Sequence, residues 1–160
     1  MTIKTGDTLP DTPVLARGEK GFEPLDLSQV KGRMVLFAVP GAFTGTCTKS
    51  HLPSYVQTAE QLRAKGVDRI ACVAVNDPAV LTAWSKAGGA RDAGVEMFSD
   101  ADGSFTRALG LNFDAPQYGM YGRSKRYSML VEDGVVKIFN LEENPGAFEV
   151  SGGETMLAAL

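Results

Sequence analysis

The sequence predicts an α/β fold in which helices flank a central mixed β-sheet, with a β-hairpin at the N-terminal end. Apolar strand-like runs alternate with helical segments in the first part of the chain, which is the order of a parallel β-α-β unit. Further along, an Asp-Gly turn joins two apolar runs, a pattern typical of an antiparallel hairpin. The 160 residues suit one domain over residues 1–160.

The first elements follow from turn residues and apolar runs. Glycine-rich turns delimit stretches 12–17 and 22–27, which predict the opening hairpin. The continuous apolar run 34–39, ended by Pro40-Gly41, is typical of a strand buried on both faces. A helix is expected from about residue 44 to the Lys65-Gly66 cap, with a bend at Pro53.

The remaining elements complete the same plan. A buried strand over 69–75 leads through the cap Asp77-Pro78 into a helix. A strand at 95–99 and a short helix at 102–110 precede a loop over 111–122 that is rich in Gly, Pro and aromatic residues. Runs 127–131 and 135–140 form a hairpin around Asp133-Gly134, and a helix closes the chain at 153–160. This order is that of a thioredoxin-like α/β sandwich.

Composition excludes several classes of partner. A net charge of −3 gives no electrostatic footprint for nucleic acid or for an anionic membrane. No segment has the apolar length of a membrane span, and the N-terminal residues do not have the pattern of a signal peptide. Two cysteines are too few for a secreted disulfide framework. We therefore expect a reducing, cytoplasmic location.

Cys47 is the leading candidate for a chemical role, because it lies where the 34–39 strand turns into a helix. Unpaired N–H groups and the helix dipole at that position favour a thiolate over a thiol. Its neighbours Thr44, Thr46, Thr48 and Lys49 are polar, and the carboxyl end of a strand in an open α/β sheet is where ligands usually bind. The alternative is an inert buried thiol, which is the usual state of a free cysteine.

The residues around Cys47 resemble a known family. The pattern Pro-x-x-x-Thr-x-x-Cys, filled by Pro40, Thr44 and Cys47, is similar to the active-site motif of the peroxiredoxins. The longer Pro-Gly-Ala-Phe-Thr-x-Thr-Cys resembles their type-5, plant type II group, and so do segments 73–78 and 122–127 and the turn at 132–134. That group usually has proline where this chain has Gly45, so a more flexible loop is expected there.

The resemblance implies a thiol-dependent peroxidase with an antioxidant role, acting on hydrogen peroxide and alkyl hydroperoxides without a cofactor or metal. Cys47 would attack the peroxide and become a sulfenic acid. Thr44 would offer its hydroxyl to the sulfur and the peroxide, and Pro40 would shield the thiolate. Arg126 would favour the thiolate and stabilise charge on the peroxide oxygens. A homodimer is implied as well, packed through Phe43 and the 113–121 loop.

Each supporting residue has another reading. Thr44 is also a common type of helix N-cap, and Arg126 taken alone would be a surface charge, with Arg123 as a neighbour that positions it. His51, the only histidine, falls on the helix face of Cys47 and is either a general base or part of the pocket wall. With one good cysteine beside it, His51 does not make a metal site.

Cys72 is the candidate resolving cysteine, because plant type II members carry a second cysteine in the corresponding strand. Its apolar setting predicts a buried, poorly ionised thiol, and a bond to Cys47 needs Cα atoms within about 7 Å. We therefore expect external resolution by glutathione or glutaredoxin, with thioredoxin next. Dithiol exchange is disfavoured, since Ser50 and Thr44 stand where a second motif cysteine would be; a non-enzymatic redox sensor remains open.

Overall fold

A computed structural model describes residues 2–160, in which seven of the nine strands form one mixed sheet. The strands are β1 Val14–Gly18, β2 Gly21–Leu25, β3 Arg33–Ala38, β4 Arg69–Ala74, β5 Glu96–Ser99, β6 Asn112–Ala115, β7 Met120–Ser124, β8 Tyr127–Glu132 and β9 Val135–Leu141. The large sheet has the order β2-β1-β5-β4-β3-β8-β9. Strands β3, β4 and β5 are parallel, and the outer pairs are antiparallel.

Helices cover both faces of this sheet. On one face the core contains side chains from α1 Leu52–Ala64, α2 Pro78–Ala87 and α4 Gly153–Ala158. On the other face it contains side chains from α3 Ser104–Leu109 and from the N-terminal segment. The arrangement confirms the predicted α/β sandwich with a mixed sheet and an N-terminal hairpin. Among residues 2–160 no helix is long and apolar enough to cross a membrane.

The central strands are buried on both faces, as their continuous apolar runs predict. Along β3, Val35 and Phe37 belong to the α1 side of the core, whereas Met34 and Leu36 belong to the α3 side. Strand β4 alternates in the same way and places Cys72 on the α1 side. The segment that carries Cys47 leaves the C-terminal end of β3, which is paired with β4 on one side and β8 on the other.

Two turn signals are confirmed in detail. Asp133 and Gly134 join β8 to β9 with φ angles of 48° and 82°, the left-handed conformation that a two-residue hairpin turn with native twist requires. Asp77 caps α2 by accepting a hydrogen bond from the backbone N–H of Val80, with Pro78 at the first helical position.

The predicted loop over 111–122 is wrong. Strands β6 and β7 pair there as a separate two-stranded sheet, joined by a 3-10 turn at Pro116–Tyr118. Strand β6 alternates polar and apolar residues over only four positions, directly before Pro116, and β7 has no such alternation, so the pair gives a weak strand signal. The Pro and Gly residues that indicated a loop belong to the connection, where Gly119 has a φ of 68°.

Candidate active site

The helix that carries Cys47 begins with an irregular turn. Residues 45 and 46 are already helical, and the π-helical turn Cys47–His51 then leads directly into α1. The N–H of Leu52 donates to the carbonyl of Cys47, which is the i→i+5 bond of a π-turn. Pro53 has no N–H and its ring clashes with a carbonyl in a regular helix, so the widened turn lies just before it. The irregularity next to Pro53 is thus a widened turn, and the bend predicted there stays a prediction.

Cys47 faces a buried guanidinium. Its side chain is 1% exposed, and Nη2 of Arg126 donates a hydrogen bond to Sγ at 3.2 Å. Arg126 is itself 2% exposed, so the surface-charge reading is wrong. Among residues 2–160 no ion pair includes Arg126. A buried charge is costly without a counter-charge, and a thiolate at Cys47 supplies one.

His51 lies on the other side of the same guanidinium and is 0% exposed. Arg126 Nη1 donates to His51 Nδ1 at 2.9 Å, and His51 Nε2 donates to the carbonyl of Ser151 at 3.0 Å. Burial, with Arg126 beside it, holds the pKa of His51 well below its usual range, so the ring is neutral. The Nδ1 lone pair is occupied by Arg126, which contradicts a general-base role. His51 does not line the neighbouring cleft either.

Thr44 lines the cleft three residues before Cys47 in sequence, and its hydroxyl proton is directed at a backbone carbonyl. Its Oγ1 donates to the carbonyl of Gly41 at 2.7 Å, so the expected donation from this hydroxyl to the sulfur is corrected. A hydroxyl has one proton and two acceptor sites, and the Gly41 carbonyl takes the proton. The hydroxyl acts as a donor to a carbonyl and not as an acceptor of a helix N–H, so it is not an N-cap bond. Its oxygen remains available as an acceptor.

A cleft of about 630 Å³ opens beside these residues. Pro40, Thr44 and Arg126 form part of its wall, and Cys47 itself is not part of the lining. Arg123 donates from Nη1 to the carbonyl of Pro40 at 3.1 Å, so it holds the Pro40 segment and not Arg126 as expected. The cleft also has apolar and aromatic lining, contributed by Phe113, Tyr118, Met120 and Pro145.

Gly45, the departure from the family pattern, is not required by packing. A Cβ added at this position meets no atom within 4 Å, and its φ is not in the left-handed region. The structure thus has room for a larger residue at the start of the helix.

Cys72 lies in the middle of β4 with 0% exposure. Its strand neighbours are Phe37 and Met97, and both cysteines are free thiols. Burial, and secondarily Cys47, raises the pKa of the Cys72 thiol well above its ordinary value. The predicted buried, poorly ionised state agrees with this geometry.

Sequence reasoning missed the residues that surround His51. The Ser151 carbonyl accepts from both His51 and Tyr55 Oη, the latter at 2.8 Å, and Glu142 binds the segment that carries Ser151. These contacts join distant parts of the chain, and most of them involve backbone atoms, so no motif indicates them. Within the described residues 2–160, no group of three or more His, Cys, Asp or Glu side chains is arranged to hold a metal ion.

Comparison with known proteins gives a consistent result. The Redoxin family model matches residues 4–157. The chain is 47% identical to chloroplastic peroxiredoxin-2E-2 of Oryza sativa subsp. japonica over 99% of this chain and 73% of that protein. It is 43% identical to mitochondrial peroxiredoxin-2F of Arabidopsis thaliana over 87% of this chain and 70% of that protein. Reduced Prx3 of Vibrio vulnificus in complex with H2O2 superposes with a TM-score of 0.92 at 45% identity, over 99% of each chain.

The predicted cytoplasmic location is wrong on this comparison. Relatives 43–47% identical to the chain are named as chloroplastic or mitochondrial proteins, which point to an organellar rather than a cytoplasmic location. Composition and cysteine count describe the folded domain, and these relatives carry the same type of domain in organelles. Such properties therefore do not distinguish the compartments.

Proposed function

The chain belongs to the Redoxin family and, within it, to the type-5, plant type II peroxiredoxins, and from this we propose that Cys47 is its peroxidatic cysteine, with Arg126, Thr44 and Pro40 as its supporting residues. The protein is a thiol-dependent peroxidase, which reduces a hydroperoxide at the expense of a thiol. The observation that carries the residue assignment is the contact of Arg126 with Cys47 Sγ at 3.2 Å, in a site where the guanidinium has no carboxylate partner among residues 2–160.

The first step is an in-line displacement on the peroxide. The Cys47 thiolate attacks the distal oxygen, an S–O bond forms as the O–O bond breaks, and the leaving oxygen takes up a proton as water or an alcohol. Arg126 stabilises the negative charge that moves from sulfur to the leaving oxygen. Thr44 accepts the peroxide O–H through its free lone pair, since its own proton is held by Gly41. Pro40 limits the access of water to the sulfur.

The cleft beside the site fits a hydroperoxide with an organic substituent. Its apolar wall, which includes Phe113, Met120 and Pro145, would cover an alkyl group, while Arg126 faces the peroxide end. Hydrogen peroxide needs only the polar end. We infer that both substrates are used and that the apolar wall affects only the alkyl hydroperoxides.

The sulfenic acid is resolved by an external thiol in this proposal. A thiol condenses with Cys47–SOH to give a mixed disulfide and water, and a second thiol releases the Cys47 thiolate and leaves as part of a new disulfide. The burial of Cys72 and its raised pKa support this route over an internal disulfide. Glutathione with glutaredoxin is the favoured reductant in this proposal and thioredoxin the second.

A homodimer through three exposed aromatic residues, of which Tyr118 lines the cleft, is part of the same proposal. The side chains of Phe43, Tyr118 and Tyr121 are 55%, 76% and 65% exposed, which is unusual for large aromatic residues. Phe43 also has a φ of 62°, which directs a bulky side chain outward at a conformational cost. Sedimentation analysis of wild type and Phe43→Ser tests this interface: a monomer in wild type would contradict it.

The test of function is hydroperoxide consumption by the reduced protein with glutathione plus glutaredoxin and, separately, with thioredoxin plus its reductase. Cys47→Ser removes turnover, whereas Cys72→Ser keeps it if resolution is external. The system that sustains turnover identifies the reductant. Turnover unaffected by Cys47→Ser would contradict the assignment of Cys47, and turnover lost in Cys72→Ser with normal folding would contradict external resolution.

A further inference from the structure

Glu142 lies just after β9 and is a buried carboxylate with no basic partner. It is 4% exposed, and no ion pair among residues 2–160 includes it. All hydrogen bonds to its carboxylate come from the segment that follows it in sequence. Oε2 accepts from the backbone N–H groups of Glu149 at 3.0 Å, Val150 at 2.9 Å and Ser151 at 2.8 Å, and from Ser151 Oγ at 2.6 Å.

These bonds keep the carboxylate ionised inside the protein. Burial alone raises the pKa of Glu142, but the hydrogen bonds from the Ser151 hydroxyl and from the three backbone N–H groups outweigh it and leave the pKa below its usual range. A carboxylate that accepts several N–H bonds binds its donors more strongly than a neutral acceptor does. Segment 142–151 is therefore closed into a loop by its first residue.

The loop closed by Glu142 supplies two backbone carbonyls that hold the guanidinium of Arg126, one directly and one through His51. The Pro145 carbonyl accepts directly from Arg126 Nε at 3.2 Å. The Ser151 carbonyl accepts from His51 Nε2, and the opposite nitrogen of that ring accepts from Arg126 Nη1. The backbone also joins the two ends, since the N–H of Glu142 donates to the carbonyl of Arg126 at 3.0 Å.

The two hydrogen-bond partners of His51 fix its tautomer. Ser151 offers only a carbonyl and Arg126 offers only N–H groups, so Nε2 must carry the proton and Nδ1 the lone pair. If the Ser151 carbonyl moved away, the Nε2 proton would lose its acceptor and the other tautomer would present an N–H to the guanidinium. Arg126 would then lose one of the bonds that aim its remaining nitrogen at Cys47.

We propose that Glu142 is a positioning residue for the peroxidase reaction: by closing segment 142–151 it holds the Pro145 and Ser151 carbonyls, and through them and His51 it aims Arg126 at Cys47 Sγ. Glu142 does not touch substrate in this scheme. The inference rests on the proposed roles of Cys47 and Arg126. It adds a residue far from the active-site motif in sequence, and one whose side-chain hydrogen bonds are all made to its own loop.

The experiment compares wild type with Glu142→Ala, Glu142→Gln and Glu143→Gln. Glu143 is exposed and adjacent, so Glu143→Gln removes the same charge without touching the loop contacts. The readouts are kcat/KM for hydrogen peroxide, the rate of Cys47 alkylation by iodoacetamide at neutral pH, and the ¹⁵N chemical shifts of the imidazole. The protein has a single histidine, so those shifts report the His51 tautomer without assignment.

In wild type and Glu143→Gln we expect one tautomer, with the proton on Nε2. Glu142→Ala is expected to show both tautomers and to lose about tenfold in kcat/KM, with a parallel fall in alkylation rate. Glu142→Gln keeps an acceptor oxygen but sets an amide N–H group against the N–H of Glu149. The kcat/KM of Glu142→Gln for hydrogen peroxide is expected to fall about threefold. Loss of activity with an unchanged tautomer would mean a structural effect only and would overturn the proposal.

Wild-type rates and a single tautomer in Glu142→Ala would also overturn it. Should Glu142→Ala fail to fold, Glu142→Gln decides in the same way. Failure of the proposed function has a different signature: wild type and Glu143→Gln would then consume no peroxide, or Cys47→Ser would consume it as fast as they do.

Discussion

Cys47 and Cys72 lie at almost the same depth in the same core, with 1% and 0% of their side chains exposed. They differ in whether a charged group contacts the sulfur directly. Cys47 has a guanidinium nitrogen at 3.2 Å, whereas Cys72 has Phe37 and Met97 beside it on the neighbouring strands. Burial raises the pKa of the Cys72 thiol and so disfavours its ionisation. In the proposed mechanism the two thiols are therefore distinguished by the charge placed against Cys47 and not by depth.

The strongest way to break this contrast is to give Cys47 an uncharged neighbour. Arg126→Met removes the guanidinium and is expected to lower the rate constant for peroxide by about 10²–10³-fold, the usual effect of losing a preorganised charge-stabilising donor. Arg126→Lys keeps the charge but not the planar guanidinium, so its rate constant should lie between those of wild type and Arg126→Met. Stopped-flow fluorescence measures the rate, because Trp84 Nε1 donates to Thr48 in the active-site helix.

Lys125→Met is the matched control for Arg126, since it removes one positive charge from the adjacent position. We expect its rate to equal that of wild type. A rate for Arg126→Met within about threefold of wild type would show that the guanidinium is not what distinguishes the two thiols.

Substitution of Cys72 tests the other half of this comparison. Cys72→Ser places a hydroxyl in an apolar strand and is expected to lower the free energy of unfolding by about 1–3 kcal/mol, while kcat/KM of the folded protein stays unchanged. Urea unfolding and the coupled peroxidase assay give the two quantities. Cys72→Ala is the control for lost volume without added polarity. A loss of turnover in both variants, with stability intact, would indicate a resolving role after all.

The neutral His51 predicts a pH dependence of stability. Its pKa is lowered in the folded state, so below the unfolded value of about 6.5 the unfolded chain binds more protons than the folded one. The contribution of neutral His51 to the free energy of unfolding is complete above that pH. It is lost as the pH falls toward the folded-state pKa, by up to about 1.4 kcal/mol per pH unit. Urea unfolding across this range measures it.

His51→Gln is the comparison for this slope, since it removes the only histidine. The variant should show a flat profile between about pH 6.5 and 5, where other groups titrate little. An equal slope in the variant would assign the effect to the carboxylates instead.

The smallest expected effect is at Thr44. Thr44→Val keeps the shape of the side chain but removes the acceptor for the peroxide O–H, which should cost about 1 kcal/mol, or about fivefold in kcat/KM. Thr44→Ser retains the hydroxyl and should stay close to wild type. Equal rates for Val and Ser variants would remove Thr44 from the proposed mechanism.

The local signals in the sequence predict most of the fold. The Asp133-Gly134 turn needs positive φ angles that few residues adopt, and the Asp77-Pro78 cap needs a short side-chain acceptor followed by proline, so both are predicted correctly. The β6–β7 pair is missed because β6 alternates over only four residues before Pro116, and β7 has no apolar alternation.

The site is predicted less completely, and for a physical reason. Cys47 is indicated by its place at the start of a helix after a buried strand. The roles of His51 and Glu142 depend on partners that are 75 residues away or on backbone groups of a loop. The direction of the Thr44 proton depends on a carbonyl whose orientation no residue type specifies. Such contacts follow from the tertiary structure and have no counterpart in local spacing.

The π-helical turn at Cys47–His51 has a consequence for protein design. The i→i+5 bond widens the turn, so Cys47 and His51 approach one guanidinium from a separation that a regular α-helix does not reproduce. A graft of these side chains at the same spacing onto a regular helix would therefore misplace one of them. The smallest transferable unit extends through Pro53, because that residue excludes the regular hydrogen bond and keeps the turn open.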